Sequence, residues 1–169
     1  LSTGHLHRMT NCFTPHHTVS LIGMPGAGKS TVGVILAKLC GLGFSDTDIA
    51  IQQREGASLQ EILEQHGNRG FRHIEQEVLL DVPLAGAVVS TGGSVIFSET
   101  VMARLKAAGP VVYLRADLDT LEQRIRANPL RGIAREGTQT YADVYAERSP
   151  IYEAYADVSV DAAAGSADE

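Results

Sequence analysis

The sequence predicts an α/β fold built on a doubly wound parallel sheet, and three observations carry this prediction. Short apolar runs that fit buried strands alternate along the 169-residue chain with segments of helical periodicity. A glycine-rich turn, "GMPGAGKST" (23–31), directly follows the first of these runs. The length, with 44% hydrophobic and 20% charged residues, suits one globular domain with a sizeable core.

The first elements are a strand, a turn and a helix. "TVSLI" (18–22) is a short apolar run that ends at a glycine, as expected of a buried parallel strand. Four apolar residues beyond the turn have the i, i+3, i+4, i+7 spacing of one helix face: Val32, Ile35, Leu36 and Leu39. Gly41 closes this helix, and "GLGF" (41–44) is a weak second strand.

Two further helices precede the third strand. "SLQE" (58–61) is a capping box, in which a serine and a glutamate satisfy the free amides of a helix start. Apolar stripes mark this helix and the next one, which stops before Pro83: Leu59, Ile62 and Leu63, then Phe71, Ile74 and Val78.

The second half continues the alternation. "GAVVST" (86–91) and "PVVYLR" (110–115) fit buried strands, and "DVSVD" (157–161) is a last short strand. Helices are expected at about residues 98–107, 117–127 and 141–155. The polar segment 128–140 is interrupted by proline and glycine, so we expect a mobile loop there. Residues 1–18 are expected to form a disordered head, 19–161 one domain and 162–169 a tail.

Bulk properties exclude several classes of protein. The formal net charge of -6 argues against a nucleic-acid partner, because phosphate backbones require a basic surface. The sequence has no apolar run of about 18 residues, so no membrane span is expected. Two cysteines make no disulfide framework, which suits a reducing compartment. We therefore expect a cytoplasmic protein, and a monomer.

The glycine-rich turn predicts a phosphate-binding loop. It fits the pattern G-x-x-x-x-G-K-[ST] with Gly23, Gly28, Lys29 and Ser30. A strand, such a turn and a helix N-terminus together present backbone amides and a favourable dipole to an oligophosphate. Lys29 would reach the β- and γ-phosphates and Ser30 would bind Mg²⁺. The expected nucleotide-binding residues are Gly26, Ala27, Gly28, Lys29, Ser30 and Thr31. No N-K-x-D guanine-reading motif occurs, which favours ATP over GTP.

Two carboxylates follow the second strand in "FSDTDIAI" (44–51). A kinase needs one acidic group to hold its metal and another to orient or deprotonate the attacking hydroxyl. Asp46 and Asp48 could meet these needs, and an Asx turn that caps the next helix explains them equally well.

Arginines and glycines supply further candidates. Arg72 and Glu75 stand at i, i+3, where an ion pair would fix the guanidinium as a receptor for a carboxylate, or would be an ordinary surface pair. "STGGS" (90–94) ends a strand with two glycines, which fits either a close backbone approach to a substrate or a simple turn. Arg131 in the predicted lid could neutralise phosphate charge, and Arg148 follows in "ERSPIY".

Together these segments resemble the shikimate kinase family, a branch of the small P-loop kinases. The resemblance runs from about residue 19 to 161. It includes "GMPGAGKSTVG", "DTDIAIQQREGASLQEILEQHG", "GFRHIEQEVL", "STGG", "VVYLRADLDTLEQRI" and "ERSPIYEAYADVSVD".

The resemblance implies a fold and an activity. The fold is the three-layer P-loop kinase fold, with a parallel five-stranded sheet of order 2-3-1-4-5 and helices on both faces. The activity is ATP- and Mg²⁺-dependent phosphorylation of a hydroxyl on a small carboxylic acid, foremost shikimate to shikimate 3-phosphate.

The resemblance also implies residue roles. Asp48 would contact the acceptor hydroxyl and act as its base, and Asp46 would help Ser30 hold Mg²⁺. Arg72 and Arg148 would clamp the acceptor carboxylate, with the Gly92 and Gly93 backbone beside it. Lys29 and the lid residue Arg131 would serve catalysis, and Arg124 would lie near adenine.

Three departures from the family pattern keep other functions open. Ser94 stands where a third glycine is usual, Arg131-Gly132-Ile133 replaces R-P-L in the lid, and the usual final helix is not evident in "AAAGSADE". A narrower pocket would suit homoserine or another small hydroxy acid. The changes at the lid and C-terminal end also fit a non-catalytic nucleotide-binding module. A nucleoside, nucleotide or gluconate kinase on this scaffold would not need the two-arginine clamp.

Overall fold

A computed structural model describes residues 17–128 and 133–162 of the chain. The strands are β1 (Val19–Ile22), β2 (Gly43–Asp46), β3 (Ala87–Ser90), β4 (Val111–Arg115) and β5 (Val158–Asp161). The helices are α1 (Lys29–Cys40), α2 (Thr47–Glu55), α3 (Leu59–Asp81), α4 (Glu99–Ala108), α5 (Leu118–Ala127) and α6 (Tyr141–Tyr155), and Val95–Phe97 forms a 3₁₀ turn. The alternation of strands and helices expected from the sequence is confirmed.

The five strands form one parallel sheet in the order β2-β3-β1-β4-β5, as the family resemblance implies. In the centre, Ser20 of β1 pairs with Val89 of β3 on one side and Val111 of β4 on the other. The order reverses direction after β1, which creates a crevice at the carboxyl ends of β1 and β3. Ligands bind at such crevices in open α/β sheets.

Helices cover both faces of the sheet. The crossover from β1 to β2 runs in the opposite direction to the other three, so right-handed connections place α1 on one face and α2 to α6 on the other. The main core lies around β1, β3 and β4, and a smaller cluster of Ile51, Ile62, Phe71, Ile74, Val78 and Ala134 joins α2 to α3. No helix among the described residues is long and apolar enough to cross a bilayer.

Helix α1 packs against the core with only part of the apolar face that its spacing predicts, through Val32 and Leu36. Leu39, assigned to the buried stripe, is 74% exposed, whereas Gly33 and Ala37 are buried. A Cβ at Gly33 would stand 2.7 Å from the Phe44 ring and 3.3 Å from Leu21, so the helix lies close to the sheet where its side chain is smallest. Close packing against β1 and β2 therefore decides the orientation of α1.

Two boundaries differ from expectation, and one is confirmed. Strand β2 spans Gly43–Asp46 rather than 41–44, and α2 begins directly after it. The two helices expected before Pro83 are both present within α3, because the backbone at Gly67, with φ 66° and ψ 179°, is not helical and separates them. Thr18, assigned to the head, is buried and its hydroxyl donates to the Leu84 carbonyl at 2.5 Å.

Candidate active site

A cavity of about 260 Å³ opens at the carboxyl ends of β1, β2 and β3. It brings together side chains from the phosphate loop, α1, β2, α2, the loop after β3, and α6. Seven of the residues predicted from the sequence line it: Lys29, Ser30, Asp46, Asp48, Gly92, Gly93 and Arg148. These positions are up to 119 residues apart in the chain, so the fold assembles the site from separate segments.

The phosphate loop needs glycine for its backbone conformation. Gly26 and Gly28 have φ values of 90° and 93°, which L side chains rarely adopt, and Gly28 is the N-cap of α1. A Cβ at Gly26 would also stand 3.2 Å from Ile125 of α5. The first amides of a twelve-residue helix follow Gly28, so the loop has the geometry of an anion site.

Lys29 lies across the phosphate loop. Its ammonium donates to the carbonyl oxygens of Gly23 at 2.8 Å and Met24 at 2.9 Å, and the side chain is buried. Lys29 also lines the cavity, so its positive charge lies beside the N-terminus of α1.

Arg124 braces the same loop from α5. Its guanidinium donates to the carbonyls of Ala27 at 3.2 Å, Gly26 at 3.4 Å and Ala162 at 2.9 Å. The loop is therefore tied to the end of β5. A role near adenine stays a prediction for Arg124, as does nucleotide binding for Thr31, which is exposed at the start of α1.

Ser30 and Asp46, predicted as a metal-binding pair, lie in contact. The Ser30 hydroxyl donates to Asp46 Oδ2 at 2.5 Å and lies 3.2 Å from the Ser90 hydroxyl. Asp46 also caps α2 through Oδ1, which accepts from the amides of Asp48 and Ile49. The capping explanation of Asp46 is therefore confirmed. The metal role stays a prediction that is compatible with the cap, because the other carboxylate oxygen faces Ser30.

This oxygen-rich corner suits Mg²⁺, which prefers a few carboxylate or hydroxyl oxygens and retains several waters. In the described part of the chain, no group of three or more His, Cys, Asp or Glu side chains could hold a metal. The oxygen donors of Ser30 and Asp46 are compatible with a hard cation that keeps several of its waters.

Asp48 lies in the first turn of α2 and lines the cavity. The neighbouring Thr47 hydroxyl accepts from the Gly92 amide at 3.1 Å, which ties α2 to the loop after β3. A Cβ at Gly92 would stand 3.0 Å from Asp48 Oδ1 and would collide with Glu75 Oε1. Only glycine fits at position 92, because two carboxylates occupy the space that a Cβ atom would need.

Glu75 is the functional candidate that the sequence reading undervalued. It is 3% exposed, and its Oε2 accepts a short hydrogen bond from the Ser94 hydroxyl, while Oε1 has no hydrogen-bond partner among the described residues. Burial, aided by the nearby Asp48 charge, raises the pKa of Glu75 from 4.5 to about 7 against the lowering effects of the Ser94 hydrogen bond and the two arginines.

The predicted ion pair between Arg72 and Glu75 is wrong. Arg72 instead pairs with Glu136 at 3.5 Å, and its guanidinium stacks 4.1 Å above the Phe97 ring. Arg72 lines a neighbouring cavity of about 120 Å³ rather than the larger one, and its buried Nε has no hydrogen-bond partner within residues 17–128 and 133–162. The i, i+3 rule describes side chains on a helix surface, whereas Glu75 points into the protein.

Arg148 of α6 is 1% exposed and lines the larger cavity. One of its terminal nitrogens donates a short hydrogen bond to the Ala134 carbonyl, and no hydrogen-bond partner of its buried Nε is found in the described part of the chain. Its guanidinium lies 5.5 Å from the same Phe97 ring that carries Arg72. The two arginines predicted as a clamp thus share one aromatic support.

Two tyrosines of α6 were not singled out from the sequence. The Tyr141 hydroxyl donates to the Pro25 carbonyl of the phosphate loop at 2.5 Å. The Tyr152 hydroxyl donates to the Gly93 carbonyl, also at 2.5 Å. Together with Arg148 they form one face of α6 that contacts three parts of the site.

The predicted catalytic residue Arg131 lies outside the described residues, as do residues 1–16 and 163–169. Of the expected lid, Asn128 and residues 133–140 are described, and there Ile133 and Ala134 line the cavity. A catalytic and nucleotide-binding role for Arg131 stays a prediction.

One signal in the sequence could have identified Glu75. It falls within the apolar stripe of Phe71, Ile74 and Val78, at the position where a further buried residue of the helix is expected. A carboxylate in a buried stripe is costly unless it has a function or a partner. The contacts of Tyr141 and Tyr152, by contrast, depend on tertiary packing that no local pattern reveals.

Comparison with known proteins gives a consistent result. A family model described as "Shikimate kinase" matches residues 25–169. The shikimate kinase of Mycobacterium avium is 41% identical over 144 residues, which cover 83% of this chain and 81% of that protein. The shikimate kinase of Paracidovorax citrulli is 37% identical over 143 residues, which cover 82% of this chain and 78% of that protein.

Solved structures agree with the sequence relatives. A shikimate kinase from Acinetobacter baumannii, in complex with shikimate, superposes with a TM-score of 0.81 at 32% identity, over 90% of this chain and 87% of that chain. The shikimate kinase of Aquifex aeolicus gives a TM-score of 0.74 at 30% identity, over 89% of both chains.

Proposed function

The chain belongs to the shikimate kinase family, and from this premise we propose that it transfers the γ-phosphoryl group of ATP to a hydroxyl of shikimate, forming shikimate 3-phosphate. We propose Mg²⁺ as the accompanying ion. The observation that carries the proposal is that one cavity of about 260 Å³ is bordered by a phosphate loop at one side and by Asp48 and Arg148 at the other.

The nucleotide side is supported by the loop geometry. The amides at the start of α1 and the Lys29 ammonium are proposed to hold the β- and γ-phosphates, and Arg124 keeps the loop in place through its carbonyls. Ser30 and Asp46 are proposed to hold Mg²⁺, which neutralises charge on the phosphates when bound.

The acceptor side is supported by the charges around Gly92. Arg148 and Arg72 are proposed to bind the acceptor carboxylate, because guanidinium forks match a carboxylate in charge and shape. Asp48 is proposed to accept the proton of the acceptor hydroxyl as that oxygen bonds to the γ-phosphorus and the bond from the γ-phosphorus to ADP breaks. The Gly92 and Gly93 backbone would border the acceptor ring.

One experiment tests the substrate. The purified chain is incubated with Mg-ATP and, separately, with shikimate, homoserine or gluconate, and ADP release and the phosphorylated product are measured. The proposal expects saturable turnover with shikimate and phosphate on its 3-hydroxyl. A higher kcat/KM with homoserine or gluconate would show that this compound, rather than shikimate, is the preferred acceptor. Absence of turnover with all three acceptors would favour a nucleotide-binding module.

We also propose that the enzyme acts as a monomer in the cytoplasm, without a nucleic-acid or membrane partner. The net charge of -6 supports the lack of a nucleic-acid partner. Light scattering of the purified chain tests the monomer, and a mass twice that of one chain would contradict it.

A further inference from the structure

Ser94 is a buried hydroxyl that follows the two glycines of the acceptor loop. It is 4% exposed and lies between the larger cavity and the neighbouring cavity of about 120 Å³, because it lines both. Its backbone, at φ -95° and ψ -1°, requires no glycine. What serine adds, relative to the glycine usual in the family, is therefore the hydroxyl that donates to Glu75.

Charged groups surround Glu75 from three elements. Asp48 faces it from α2, Arg72 lies on α3 itself, and Arg148 and Tyr152 face it from α6. Desolvation favours the neutral acid, and the Ser94 hydrogen bond is the strongest influence that favours the carboxylate, ahead of either arginine. The ionisation of Glu75 therefore depends on Ser94 more than on Arg148 or Arg72 taken singly.

The state of Glu75 matters for the two arginines. Arg72 and Arg148 both lie over Phe97, at 4.1 and 5.5 Å from its centre, so two cations are held near each other. A carboxylate beside them reduces their mutual repulsion, whereas a neutral acid does not. Loss of the charge would therefore let the guanidinium groups move apart.

We propose that Ser94 is a positioning residue, whose hydroxyl keeps Glu75 charged and thereby holds Arg72 and Arg148 in place to receive the acceptor carboxylate. This inference rests on the proposed function. If Ser94 has this role, the affinity for the acceptor falls at low pH, whereas the affinity for the nucleotide does not. The strength of the Ser94 hydrogen bond then sets the pH at which the acceptor affinity is half lost.

The test compares Ser94→Ala with the unchanged protein between pH 6 and 9. Shikimate affinity is measured by calorimetry on the full chain, and kcat/KM for shikimate is measured by ADP release. Both quantities should decline as the pH falls, with a midpoint at the pH where each is half its maximum. In Ser94→Ala this midpoint should move up by about one pH unit, because a hydrogen bond to a carboxylate lowers its pKa by about that amount. The KM for ATP should stay within about twofold, because the phosphate loop is unchanged.

Three further variants separate positioning from packing. Ser94→Thr retains the hydroxyl and should return the midpoint toward the original pH, whereas Ser94→Cys fills the space with a weak donor and should resemble Ser94→Ala. Glu75→Gln should abolish the acid decline. Ser98→Ala is the matched control, because the Ser98 hydroxyl lines the same small cavity but donates to the neutral Gln76 at 2.8 Å.

The outcomes are distinct. If the unchanged protein binds and phosphorylates shikimate while its midpoint coincides with those of Ser94→Ala and Ser94→Cys, the role of Ser94 is refuted and the proposed function stands. If the unchanged protein neither binds nor phosphorylates shikimate, the proposed function fails first. A shift that Ser98→Ala reproduces would indicate a packing effect and overturn the inference.

Discussion

The Tyr152 hydroxyl donates to the carbonyl oxygen of Gly93 at 2.5 Å, so helix α6 fixes the backbone beside the proposed acceptor. We expect Tyr152→Phe to raise the KM for shikimate about threefold to tenfold, because one hydrogen bond contributes about 0.5–1.5 kcal/mol. Steady-state kinetics would measure this. Tyr155→Phe is the control, since no hydrogen bond of the Tyr155 hydroxyl is found among the described residues. An equal effect of both variants would contradict a specific role for Tyr152.

Asp48→Asn is expected to lower kcat by about two orders of magnitude or more, the scale of a lost general base. ATP affinity should change little, because Asp48 lies on α2 rather than in the phosphate loop. Turnover and nucleotide calorimetry separate the two effects. Asp81→Asn, at the exposed end of α3, is the control. Near-normal turnover in Asp48→Asn would remove Asp48 from the chemical step.

Lys29→Met is expected to lower kcat/KM for ATP by about 10² to 10³, because a cation aimed at transferring phosphate contributes on that scale. ADP release at several ATP concentrations measures it. Lys38→Met, on the exposed surface of the same helix, should behave like the unchanged protein. Full activity of Lys29→Met would argue against the phosphate-loop assignment.

Arg72→Ala is expected to raise the KM for shikimate about tenfold or more, the effect of losing a charge-assisted hydrogen bond, while the KM for ATP changes little. Arg69→Ala is the control, since Arg69 lies nearly one turn earlier on α3 and is exposed. An unchanged shikimate KM in Arg72→Ala would favour an acceptor that does not need two arginines.

Glu75 should make stability depend on pH. Its pKa is raised from 4.5 to about 7 in the fold, so the folded protein binds its proton more tightly than the unfolded chain does. Stability from this group is therefore greatest below pH 4.5 and falls as the pH rises toward 7.

We accordingly expect the stability of Glu75→Gln, relative to the unchanged protein, to increase by up to about 3 kcal/mol between pH 4.5 and 8. Urea unfolding at several pH values measures the difference. Glu77→Gln, an exposed neighbour on α3, should give a difference that varies little with pH. A pH-independent difference for Glu75→Gln would show that the fold does not raise the pKa of Glu75.

The phosphate side of the site could be predicted from sequence, because its chemistry lies in consecutive residues. Gly28, Lys29 and Ser30 lie in a local turn and in the helix that starts there, so spacing alone singles them out as candidates, and their binding roles stay predictions. The sheet order could be anticipated only from the family resemblance, since strands such as β1 and β3 are far apart in the chain and their pairing leaves no local signal.

The acceptor side could be predicted only in part. The sequence identified Arg72 and Arg148, but their shared support on Phe97 depends on how α3, α6 and the 3₁₀ turn pack. The i, i+3 spacing wrongly paired Glu75 with Arg72, because that rule applies to side chains on the helix surface and Glu75 is buried. The same limit explains Leu39, whose periodic position predicted burial although α1 turns Gly33 toward the sheet.

Helix α6 makes three separate contacts. Tyr141 contacts the phosphate loop, Arg148 contacts Ala134 in the segment before the helix, and Tyr152 contacts the acceptor loop. Inserting or deleting one residue between Tyr141 and Tyr152 would rotate everything beyond that point by about 100° about the helix axis. All downstream contacts would be lost at once, whereas a length change in the exposed stretch of residues 135–138 would leave the Tyr141 and Tyr152 contacts in register. Natural length variation among active homologues should therefore spare the interior of this helix.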